Sequence, residues 1–259
     1  MICRKLFYSL ALLLMCICNC SYAQQVSIQQ EEHKLITLYS AAMARLGNND
    51  STTYYADKFG RELKRYITAT PASLDYPFKR LADSNYCNII TSSDGNLRIY
   101  SWDTWTGGSM HFYNQIIQYR NKGVVFTKIP NYAEGDAGVF CSAIFTVTIK
   151  GVVYYLPISN GTYSNKDASQ SVSVLTIRDR ELTDTARLFK TKKQLLNAID
   201  VNFDFLSVVD RPERPLALIT YNEKEKVIRI PLVKDNGRVT RQRLLYKLQG
   251  NYFTFTGIE

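Results

Sequence analysis

The chain has 259 residues, 46% hydrophobic and 21% charged, and its 32 lysines and arginines outnumber 23 acids for a formal net charge of +9. That length buries a sizeable core, and the positive balance suits anionic partners. Four of the six cysteines lie in the first 20 residues, which excludes a disulfide-dense scaffold for the remainder.

The N-terminus reads as a secretory signal. Arg4 and Lys5 precede an apolar run from Leu6 to Cys18, and Ser21-Tyr22-Ala23 sets small residues at the −3 and −1 positions of a cut before Gln24. The run is shorter than the roughly 20 residues needed to span a bilayer core. Lipoprotein cleavage before Cys16, Cys18 or Cys20 is the competing expectation, but Met15, Ile17 and Asn19 are not the small residues it needs. Removing residues 1–23 takes Arg4 and Lys5 away and lowers the charge to +7. The expected product is one mature domain, 24–259, exported to the periplasm or cell surface with no transmembrane segment. Its two cysteines, Cys87 and Cys141, permit either one disulfide or two buried thiols.

In chain order, Glu31–Leu46 predicts a helix, with Leu35, Leu38, Ala42 and Leu46 at helical spacing, Tyr39 broadening the stripe and Gly47 as its stop. Tyr55, Phe59, Leu63 and Ile67 predict a second helix over Tyr54–Ile67. Pro71 and Pro77 bracket an irregular stretch with a short helical turn. From Tyr86 the period becomes alternating, and β-branched and aromatic residues dominate. Expected strands are Tyr86–Ser92, Leu97–Asp103, Ser109–Arg120, Val124–Ile129, Val139–Ile149, Val152–Ser159, Gln170–Asp179, Asn197–Leu206, Leu216–Tyr221, Val227–Val233, Arg238–Leu248 and Tyr252–Thr256. Lys190–Ala198 reads as one interrupting helix. Asp94-Gly95, Asn121-Lys122-Gly123, Lys150-Gly151, Asn236-Gly237 and Gly250-Asn251 suit tight turns, which force antiparallel neighbours.

The expected fold is therefore mainly β: a helical part over 24–85, then an antiparallel meander over 86–259 forming a curved sandwich or partly closed barrel. A propeller is the alternative. A turn centred on Asp94-Gly95 sets Ile89 opposite Tyr100 and Cys87 opposite Trp102. Closing the next loop over Thr104–Gly108 sets Trp102 against Met110 and Tyr100 against Phe112. Centring on Lys150-Gly151 aligns Val147 with Tyr154 and Phe145 with Leu156, on the face that carries Cys141.

The segment Ser101–His111, SWDTWTGGSMH, holds both tryptophans and one of the two histidines. Asp103, Trp105 and His111 are the candidate ligand-binding residues, since an indole face stacks on a sugar or peptide while short polar groups orient it. Trp102 reads as core. The run Glu134–Gly138 resembles the Gly-Asp-Ser-Gly stretch of chymotrypsin-like proteases, with Ala137 where the nucleophile belongs. Cys141 on an apolar strand face reads as an inert structural thiol rather than a nucleophile for His111. No zinc or calcium spacing is present, and no cofactor is expected. Between Arg211 and Lys247, ten basic residues face four acids, so Arg229, Arg238, Arg241 and Arg243 form a candidate basic surface. It suits an anionic glycan or an acidic protein partner; export argues against nucleic acid.

The run SSDGNLRIYSWDTWTGGSMHFYNQIIQYR, Ser92–Arg120, resembles a segment of uncharacterised exported proteins of the Bacteroidota. The resemblance implies compartment and origin and carries over no catalytic residue. The leading expectation is an exported binding or interaction protein without its own catalysis, one form being an inhibitor or immunity-type protein. The alternative is an envelope polysaccharide or peptide hydrolase whose acid and base come from distant loops, such as Asp103, His111 and Asp136.

Overall fold

The computed structural model describes residues 28–259; the expected signal segment, 1–23, lies outside them. Helix α1 covers residues 28–43 and α2 covers Asn49–Ala69. α2 starts earlier than its apolar stripe because Asn48 caps it, its side-chain oxygen accepting the Ser51 N–H at 3.1 Å. α1 ends before Leu46, which is left 47% exposed. Its fully buried apolar residues include Leu35, Tyr39 and Ala42, and Leu38 packs half-buried against the same core. A turn of 3-10 helix follows at Pro71–Leu74, and a short α3 at Lys79–Asp83. The sequence reading missed α3, whose own first turn has no side-chain cap. The buried Glu32 of α1 serves it instead, accepting the Leu81 N–H at 3.0 Å and the Tyr76 hydroxyl at 2.7 Å.

Every strand follows the three α-helices, and a turn of 3-10 helix at Phe205–Val208 interrupts the strands late in the chain. β1 (Asn88–Thr91), β2 (Leu97–Asp103), β3 (Tyr113–Asn121) and β4 (Val124–Lys128) pair in sequence as one antiparallel sheet. β5 (Phe140–Ile149), β6 (Val152–Thr162), β7 (Asp167–Ser173), β8 (Leu175–Arg178) and β9 (Glu181–Thr183) come next, then β10 (Phe189–Lys190), β11 (Leu195–Leu196) and β12 (Ala198–Asp204). β13 (Thr220–Asn222), β14 (Val227–Val233), β15 (Val239–Gln249) and β16 (Tyr252–Ile258) finish the chain. The second sheet runs β12-β7-β6-β8-β9 with β5 added along β6; the third runs β11-β10-β16-β15-β14-β13. The protein is mostly β, with one sheet that curls into a half-barrel, as expected of a curved sandwich. Three sheets in this order are not the radial blades of a propeller.

The layers stack through strand alternation. On β2, Tyr100 and Trp102 face the helices and pack with Tyr39, Phe59 and Leu63. Leu97 and Ile99 face the other way, onto Cys141, Ile144 and Tyr155 of the second sheet. That sheet in turn places Val147, Leu156 and Ile158 against Phe189, Ile228, Tyr246 and Phe253 of the third. Burial on both faces explains why β2 is buried at every residue from Leu97 to Trp102.

Four expectations need correction. The loop after β2 closes later than Thr104–Gly108, so Tyr100 pairs with Ile116 and Trp102 with Asn114, not with Phe112 and Met110. Phe145↔Leu156 and Val147↔Tyr154 hold. A register shift between Cys141 and Ala143, however, turns Cys141 to the opposite face from Val147, toward the first sheet. Gln170–Asp179 is two strands, β7 and β8, both pairing with β6. The Lys190–Ala198 stretch is no helix: it is the β10–β11 hairpin, and β10 also pairs parallel with β16, the one exception among these antiparallel pairings.

Candidate functional site

β2 ends at Asp103 and β3 begins at Tyr113, and residues 104–112 cross between them. The Thr104 N–H donates to the Phe112 carbonyl at 2.8 Å. Gly107 has no space for a side chain, since a Cβ there would lie 1.9 Å from the Met110 carbonyl oxygen. Trp105 adopts φ 56, uncommon for a bulky residue. Asp103 holds it there, accepting the Trp105 N–H on Oδ1 at 2.8 Å. The other carboxylate oxygen meets His111 Nδ1 at 2.5 Å, and the His111 backbone N–H donates to Thr162 of β6 at 3.0 Å. Asp103, Trp105 and His111 are thus brought together.

A fourth member comes from α1. The Trp105 indole N–H donates to the Tyr39 hydroxyl at 2.9 Å, and that hydroxyl donates to the Asp103 carbonyl at 2.7 Å. Burial pushes the Tyr39 phenol far above its ordinary value, which keeps the proton that this relay uses. The Trp105 ring stands edge-on to His111 at 5.7 Å, His111 stacks on Tyr113 at 6.1 Å, and Tyr113 meets Phe140 at 5.1 Å. Helical spacing puts Tyr39 on the apolar stripe of α1, but nothing local announces its bond to Trp105, which arises only through the packing of α1 on the first sheet.

This arrangement offers a fixed aromatic surface, with Trp105 36% exposed and its indole already anchored. It also contains a carboxylate-oriented imidazole, half of what acid–base catalysis needs. Among the described residues, no serine, threonine or cysteine side chain hydrogen-bonds that imidazole. Asp136 does not complete the set: its carboxylate accepts the Gly138 N–H at 2.9 Å within its own turn.

Cys87 and Cys141 are both buried free thiols, in the separate cores on either side of the first sheet. Burial pushes the Cys141 thiol up to about 12, so it carries no thiolate at neutral pH.

The candidate basic residues divide. Arg229 is neutralised, bonded to Glu225 at 2.9 Å and to Glu259 at 2.8 Å. Arg243 is half-buried, donates to the Leu218 carbonyl at 2.5 Å, and is held below its ordinary pKa by burial and then by neighbouring Arg211. Arg238 and Arg241 are exposed and make no ion pair among the described residues. With Arg211, Lys234 and Ser207 they line a concavity of about 440 Å³ that has no carboxylate in its wall. Lys234 is one of the ten basic residues counted in the sequence but not one of the four singled out; the β14–β15 turn sets it beside Arg238, its N–H donating to the Arg238 carbonyl at 3.0 Å.

Among the described residues, no helix is long and apolar enough to cross a membrane, and no three metal-ligating side chains cluster. No protein-family model matches the chain, and neither does any curated protein sequence.

Proposed function

We propose that this is an exported binding protein of the periplasm or cell surface, without catalysis of its own, which captures an anionic glycan or an acidic protein partner. An inhibitor or immunity-type protein is one form of this. The observation that carries the reading is the concavity of Arg211, Lys234, Arg238 and Arg241, four cations around one depression with no acid lining it, of which only Arg211 has an ion pair among the described residues, to Glu213 at 3.8 Å. Packing like charges together raises the local potential and favours an anion that neutralises them. Exposed Arg238 and Arg241 supply planar donors that match carboxylate or sulfate groups.

The test is binding to heparin and to poly-glutamate, with neutral dextran as the control. Binding to a polyanion that weakens as salt rises, and that falls at least tenfold in Arg238→Gln/Arg241→Gln, supports the reading. Equal binding by the double variant sinks it. The hydrolase reading rests on the Asp103–His111 pair. Turnover of an envelope polysaccharide or peptide that is lost in His111→Ala would favour it.

A further inference from the structure

A second concavity, of about 400 Å³, lies between α2 and the edge of β3. β4 covers β3 only from Ile117 onward. The returning chain meets β3 again at Tyr113, whose N–H donates to the Ala137 carbonyl at 2.7 Å. Residues 114–116 between these points face no strand on that side, and the concavity opens there. Its size falls in the usual range for small-molecule sites.

The wall has two features that belong together. Seven buried side-chain polar atoms lack a hydrogen-bond partner among the described residues, and three of them, Trp102 Nε1, Gln115 Nε2 and Tyr132 Oη, belong to residues lining this one cleft. Unpartnered buried polar atoms are uncommon in native proteins, so three on one wall require an explanation. Trp102 Nε1 and Gln115 Nε2 only donate and the Tyr132 hydroxyl can donate too, so a group that satisfies all three presents acceptors. Arg61 and Lys64 stand at the same cleft on α2, exposed and without an ion pair among the described residues. Asp57 is the single acid in the lining. Ile116 and Ile129 supply apolar surface, and Gly60 lets the Trp102 indole approach, since a Cβ there would lie 2.6 Å from the ring.

We propose that this cleft binds a small molecule with an apolar body and an anionic, acceptor-rich head such as a carboxylate or phosphate. The head meets Arg61, Lys64 and the waiting donors, and the body lies on Ile116 and Ile129. The three polar atoms are closed off from water, so the ligand reaches them by displacing a side chain at the rim. The site is separate from the arginine concavity and does not depend on the reading given for it.

The probe is 8-anilinonaphthalene-1-sulfonate, an apolar body with one anionic head, titrated into the full-length protein by fluorescence. N-phenyl-1-naphthylamine, which lacks the sulfonate, is its neutral control. The expected result is one site per chain, with affinity for the anion at least tenfold weaker in Arg61→Gln/Lys64→Gln and the neutral probe changed less than twofold. Both positions are exposed on a helix where glutamine keeps the propensity, so folding is not at stake, and an unchanged thermal midpoint verifies it. Tyr132→Phe should weaken the anion at least threefold. Anion affinity within twofold of wild type in the double variant overturns the proposal, and so does loss of binding in Arg238→Gln/Arg241→Gln instead. Unchanged affinity in Tyr132→Phe overturns the assignment of that donor.

Discussion

Replacing Asp103 by alanine should destabilise the fold far more than an average surface substitution. The carboxylate accepts the Trp105 N–H at 2.8 Å and meets His111 Nδ1 at 2.5 Å, and its side chain is only 12% exposed. Hydrogen bonds to charged groups contribute about 1.5–3 kcal/mol each. The His111 contact belongs at the low end because that side chain is 31% exposed and water replaces part of what is lost. The sum is about 3 kcal/mol, and it includes leaving Trp105 in an unfavourable backbone conformation without its tether. Asp103→Asn keeps an acceptor for the Trp105 N–H and should cost about half as much. Urea unfolding followed by circular dichroism measures both, and an unchanged m-value shows that stability alone has moved. A cycle with His111→Ala should give a coupling of about 1 kcal/mol. If Asp103→Ala lies within about 0.5 kcal/mol of wild type, the carboxylate is not what ties the loop, and the anchored-indole account fails with it.

Gly138 has φ +64, and a Cβ there would lie 2.2 Å from the Tyr113 carbonyl oxygen; Gly138→Ala should therefore cost at least about 2 kcal/mol in the same urea assay. Gln170 is fully buried, donating to Asn160 and Leu216 at 2.7 Å each and accepting the Ile219 N–H at 2.6 Å. Gln170→Leu keeps the volume but strands those partners, for an expected loss of about 3 kcal/mol; a loss below about 1 kcal/mol would mean that the site relaxes around it. Burial raises the Cys141 thiol from 9.0 to about 12 and the Tyr100 phenol from 10.0 to about 12. Both groups ionise more readily unfolded than folded, so their contribution is intact below pH 9 and is lost as pH rises toward 12. Cys141→Ala should flatten that alkaline decline in unfolding free energy, and an identical slope in the variant would contradict the assignment. For the same reason, iodoacetamide at pH 8 should label Cys141 slowly in the native protein and readily in urea.

Much of the secondary structure was legible because hydrophobic periodicity is a local property. The change from helical to alternating period near Tyr86 separates the helical part from β1, although α3 itself has no such signal, and Leu97–Asp103 and Val227–Val233 form strands at the expected bounds. Lys122-Gly123 and Lys150-Gly151 turn with positive φ at both residues, as two-residue hairpins demand. Asp103, Trp105 and His111 could be singled out because they are close along the chain and chemically unusual together.

What the chain's local pattern left undecided was which faces meet. Alternation tells that β2 has two sides but not that helices cover one and the second sheet the other, because both partners are equally apolar. One extra residue at Ser142 reverses the side on which Cys141 emerges, and the parallel contact of β10 with β16 joins strands far apart in sequence. Tyr39 meets Trp105 across 66 positions, and the cleft against α2 exists only because β4 stops pairing at Ile117. Such features arise from packing between segments that share no local code: composition and period determined the ribbons and turns, and contact between layers decided the sites.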